Sequence, residues 1–122
     1  MIDVNVLDKA ITAHASWKNR LRGAVTSGKF DTPVATVKAD NQCEFGKWMY
    51  GASLTAADKQ SESYRNVRDL HAKFHQDAAK VVELATSGQK QDADKAIGLG
   101  GFYAKSSSVL TEAMIRWRNS LR

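Results

Sequence analysis

Most of the coordination chemistry available in this 122-residue chain rests on its three histidines, His14, His71 and His75, and its single cysteine, Cys43. His71 and His75 stand four residues apart inside a helical pattern. They therefore project from one face, one turn above the other, and both imidazoles can reach a single point. His14 fills a slot in the apolar stripe of the first helical segment. Cys43 opens a short helix within Cys-Glu-Phe-Gly-Lys-Trp, where backbone N–H groups and the positive helix end favour a thiolate. Nitrogen and sulfur donors of this kind suit one tetrahedral zinc ion.

The residues alone leave a blander reading open. A histidine on an apolar stripe is commonly a hydrogen-bonded core residue, and a buried cysteine commonly behaves as a small hydrophobe. A shared metal gains from the combination. All four groups fall on faces that a helical bundle turns inward, where only Ser107 is otherwise expected to be strongly polar, and burying them without a common partner is costly. The pair lacks the glutamate of His-Glu-x-x-His, which excludes the zincin protease pattern.

The elements that must position these groups are all helical. A first helix is expected from Asp3 or Asn5 to about Ser27, with Gly28 just beyond it. Leu7, Ile11, His14, Trp17 or Lys18, Leu21 and Val25 make its stripe. Lys29 to Gln42, which holds the only proline, Pro33, reads as a connection. The cysteine helix comes next, capped by Asp40 or Asn41, running to Met49 and ended by Gly51. Gly46 inside it suggests close approach of another backbone. Thr55 to Ala57 reads as a second connection. The longest helix then runs from Ser61 to Ser87, where Tyr64, Val67, His71, Phe74, Ala78, Val81 and Ala85 keep steps of three and four, with His75 one position off the stripe. A last helix is expected from Gln91 or Asp92 to the C-terminus, and Gly98, Gly100 and Gly101 mark a kink or a close crossing in it. With no alternating strand pattern, the fold class is all-α: a four-helix bundle with an additional short helix carrying the cysteine, and residues 1–122 forming a single domain.

Composition narrows the function classes. The hydrophobic fraction of 43% and charged fraction of 25% are those of an ordinary globular protein. No apolar run is long enough to insert in a membrane. One cysteine cannot form an internal disulfide, so a reducing, cytoplasmic setting is expected. The net charge of +5 is dispersed among acidic residues, and without a nucleic-acid-binding motif it argues against nucleic acid as a partner.

Taken together, His14-x-x-Trp17, Cys43-x-Phe-Gly-x-Trp48 and His71-x-x-x-His75 resemble the chemoreceptor zinc-binding (CZB) domain found on bacterial cytoplasmic chemoreceptors and diguanylate cyclases. The resemblance implies a helical bundle that often dimerises. It also implies that His14, Cys43, His71 and His75 ligate zinc with high affinity. In the family, zinc availability or oxidation of the cysteine by hypochlorous acid alters chemotaxis signalling or cyclic di-GMP synthesis. This sequence has no GGDEF-like motif, long heptad hairpin or phosphate loop. It is therefore either a free-standing protein of that type or an excised domain whose effector is fused or separate.

Three imidazoles and a thiolate fill all four positions of a tetrahedral zinc, which makes the site structural or regulatory rather than catalytic. Two other classes stay open: a metal-independent helical oligomerisation module, and a zinc hydrolase using the three histidines alone. The hydrolase lacks a carboxylate base at fixed helical spacing, Glu44 and Asp69 being the nearest in sequence.

Overall fold

The computed structural model describes residues 2–121. Seven helices are present among them and no strand: α1 (Val4–Ser27), α2 (Val34–Lys38), α3 (Glu44–Tyr50), α4 (Ala56–Gln60), α5 (Glu62–Thr86), α6 (Lys90–Ile97) and α7 (Phe102–Ser120).

The boundaries arise from local chemistry. Asp3 caps α1 by accepting the Asn5 N–H at 2.9 Å, and Gly28 ends it in the left-handed region at φ 72°, where a side chain would be strained. Ser61 caps α5 through the Tyr64 N–H. Between these caps α1 and α5 each run for more than six turns, long enough to carry ligands and core on one face.

Helix α5 lies centrally, packed against α1, α2, α6 and α7. Leu7 and Leu21 of α1, Phe74 and Val81 of α5, and Leu110 and Met114 of α7 are completely enclosed. The expected bundle is thus formed by α1, α5, α6 and α7, with α2 and α4 packed on α5 and α3 on α1.

Three details differ from the expectations of the sequence. The stretch from Lys29 to Gln42 contains α2, which Pro33 starts by accepting the Thr36 and Val37 N–H groups. The connection around Thr55 is α4, held by a reciprocal capping box between Thr55 and Asp58. The bundle therefore carries three short helices rather than one. The expected last helix is two, α6 and α7, broken at Gly98–Gly101. A methyl group on Gly101 would sit 2.1 Å from the Lys95 carbonyl oxygen, so that glycine permits the reversal. Among the described residues, no helix is long and apolar enough to cross a membrane.

Candidate metal centre

His14, Cys43, His71 and His75 meet at one point between α1, α3 and α5. One donor atom from each lies within 4.8 Å of all the others. His71 Nε2 and His75 Nε2 are 3.0 Å apart, and Cys43 Sγ lies 3.4 Å from the first and 3.6 Å from the second. A tetrahedral zinc with ordinary Zn–N and Zn–S bonds puts its donors about 3.3–3.6 Å apart. The two Cys43 separations are therefore at coordination spacing, the histidine pair is about 0.3 Å tighter, and His14 lies within 4.8 Å of the other donors.

The imidazoles are oriented from behind. His14 Nδ1–H donates to the Ala10 carbonyl at 2.7 Å. His75 Nδ1–H donates to the Val37 carbonyl of α2 at 2.9 Å. Each bond fixes the tautomer that leaves the Nε2 lone pair facing the other donors. His14 Nε2 is buried and has no hydrogen-bond partner among the described residues. A buried acceptor of this kind is rare unless something outside the protein satisfies it, and here it looks into a cluster of like donors. The donor set therefore fits zinc.

Burial keeps the imidazoles neutral. Loss of solvent pulls His14 down to about 4, against a weaker upward pull from the Ala10 carbonyl. Burial, then the neighbouring histidines, pulls His71 down to about 2. His75 is lowered as well, mainly by burial. All three imidazoles are consequently neutral at neutral pH, the form a metal ligand requires.

Cys43 behaves differently from expectation. It is the N-cap of α3 rather than a residue capped by Asp40 or Asn41, and its Sγ accepts the Gly46 N–H at 3.3 Å. The helix-end amides do favour the thiolate, but burial outweighs them and the nearby Asp40 adds to it, so the thiol is pushed up. Without a cation Cys43 stays protonated at neutral pH; a coordinated dication reverses that balance.

Aromatic rings seal the cluster. Phe45 meets His14 and His71 edge-on, and Phe74 meets His14 and His75. Trp17 lies 6.2 Å from the His75 ring, as a site wall should. Trp48 stands one layer out, stacked on Phe45 at 5.6 Å. A groove of about 390 Å³ between α1 and α3 reaches His14 and Cys43 past Trp17 and Trp48. Cys43 is the one partly exposed member of the four.

Two contributors are not apparent from the sequence. One is Val37, whose carbonyl orients His75; its signal is the Pro33-Val34 start of a short helix with apolar residues three apart. The other is Asp77, a polar residue only 1% exposed, whereas Ser107, the polar residue expected inward, is half-buried. Lys73 Nζ donates to it at 2.8 and 2.9 Å, and Ser106 Oγ also donates to it. The i, i+4 spacing of Lys73 and Asp77 is the available signal. Glu44 and Asp69, the nearest carboxylates in sequence, are exposed and stand outside the donor cluster.

A model of the chemoreceptor zinc-binding domain family matches residues 14–82, more than half of the chain and all four clustered residues. No curated protein and no solved structure matches the chain.

Proposed function

The chain belongs to the chemoreceptor zinc-binding domain family, and from that premise we propose that it is a zinc-dependent sensory module of bacterial signalling rather than an enzyme. In this reading residues 1–122 form one domain, His14, Cys43, His71 and His75 are the zinc ligands, and the protein works in the cytoplasm as a homodimer coupled to a chemoreceptor or diguanylate cyclase effector. The observation that carries it is the buried His14 Nε2, which lacks a partner and faces two imidazoles and a thiol.

When bound, zinc supplies a dication that holds the cysteine as a thiolate and joins three helices. Which helices respond depends on how the chain carries its donors. His71 and His75 ride on one helix with their Nε2 atoms already 3.0 Å apart, so α5 has little reason to move. His14 stands on a different helix, α1, and Cys43 caps the short α3. Occupancy therefore acts on the packing of α1 and α3 against α5, and a dimer partner or effector reads that change.

Cys43 is the sensing residue and the histidines are the anchors. Hypochlorous acid transfers its hydroxyl oxygen to the Cys43 thiolate, giving sulfenic acid and releasing chloride, and the weaker sulfur donor lets the metal go.

Elemental mass spectrometry of protein purified without added zinc, beside Cys43→Ala, tests this reading. About one zinc per chain, weakened in the variant, is the expected result. Protein that neither carries nor takes up zinc would overturn it and leave a helical oligomerisation module. Hypochlorous acid treatment should add one oxygen at Cys43 and release the zinc. Zinc retained after that modification would remove the oxidant arm.

A further inference from the structure

We infer that Gly46 is the positioning residue for the sulfur donor, an inference that rests on Cys43 being a metal ligand. Gly46 is the third residue of α3 and is buried. Its N–H reaches back to Cys43 Sγ at 3.3 Å, in the place where a serine or aspartate oxygen usually caps a helix. The sulfur is thereby held to the first turn by an amide while it stands 3.4 Å from His71 Nε2 and 3.6 Å from His75 Nε2.

The absence of a side chain at Gly46 is what lets the preceding loop close. A methyl group there would lie 1.8 Å from the Asp40 carbonyl oxygen, 2.8 Å from its carbon and 3.0 Å from Asn41 Cα. These are backbone atoms and cannot swing aside. The Tyr50 hydroxyl, from the far end of α3, donates to the Asp40 carboxylate and holds the same loop down. Cys43 lies between the loop and the turn, so any retreat of one from the other moves Sγ. A productive ligand tolerates a displacement of only about 0.5 Å, far less than a methyl at this position requires. The amide contact also draws charge from the thiolate, which tunes how firmly it holds a metal.

Cobalt(II) in place of zinc makes the sulfur visible. The whole wild-type chain loaded with cobalt should show near-ultraviolet sulfur-to-metal charge transfer together with tetrahedral d–d bands. Gly46→Ala should lose the charge-transfer intensity, keep d–d absorption from the histidines and bind zinc about 10–100-fold more weakly. Gly101→Ala is the control for strain: its methyl meets the Lys95 carbonyl oxygen at 2.1 Å, in the turn between α6 and α7 that carries no donor. It should melt earlier yet keep the full charge-transfer band. A normal band in Gly46→Ala would overturn the positioning role and leave Cys43 ligation standing. The role also falls if Gly101→Ala loses the band, or if Gly46→Ala lacks wild-type helical circular dichroism. A wild-type protein without the band would instead overturn the ligand reading itself.

Discussion

Helix α5 carries two buried polar groups barely a turn apart, and they are resolved in opposite ways. His71 and His75 face a cluster in which an acceptor has no protein partner. Asp77, just beyond, is fully answered by Lys73 and Ser106 and ties α5 to α7. Both are enclosed, so burial alone does not separate a ligand from a structural pin. What separates them is whether the protein completes the hydrogen bonding itself. The first region leaves an acceptor unpartnered among the described residues, whereas the second is closed already.

Withdrawing the metal should produce the largest asymmetry between them. Chelation is expected to lower the melting temperature by on the order of 10 °C, since a ligand held at a thousandfold excess over its Kd contributes about 4 kcal/mol. Amide exchange should accelerate in α1 and α3 and remain slow around Asp77. Equal loosening in both regions would break the comparison.

Asp77→Ala reverses the experiment. Removing a buried, hydrogen-bonded carboxylate should cost about 2–3 kcal/mol, measured by denaturant unfolding, with zinc stoichiometry unchanged. Zinc lost along with stability would show that the pin and the cluster act as one unit.

Acid provides a graded version of the first test. Burial lowers His14 to about 4 and His71 to about 2 in the folded metal-free protein, against 6.5 when unfolded. Below 6.5 the unfolded chain therefore binds more protons, and stability falls as pH drops from 6.5 through 4. Replacing His14 by Gln should flatten part of that slope. A metal-free melting temperature constant between about pH 7 and pH 5 would contradict the enclosure of the imidazoles.

The smallest expected effect belongs to Thr55→Ala, which removes the capping box of the exposed α4. It should cost about 1 kcal/mol and leave metal content untouched, marking the limit of the region that the cluster senses.

The periodicity of α1 and α5 makes the bundle and the inward face of His14 and His71 readable from residues alone. His75 is harder. It sits one position off the apolar stripe, yet is as enclosed as its neighbour, because α2 lies over that side of α5 and supplies the Val37 carbonyl. A five-residue helix gives too short a pattern to read as periodic, so the element that buries His75 reads as a connection. Gly46 is readable as a close approach but its partner is not, since the Asp40 carbonyl is brought there by a tertiary turn. Asp77 is only half readable: its i, i+4 spacing from Lys73 marks an ion pair, but its second partner, Ser106, comes from another helix, and pairing across helices leaves no mark on local spacing.

The even spread of the donors along the chain has a consequence for the unfolded state. Cys43 stands 28 residues before His71 and about as far after His14, so a bound ion closes two loops of similar size. In the chain-entropy picture used for disulfides, each such loop removes about 3–4 kcal/mol of freedom from the disordered ensemble. An ion held by this set would thus behave as a removable staple: taking it out would restore the slack of both loops at once, with no peptide bond cut.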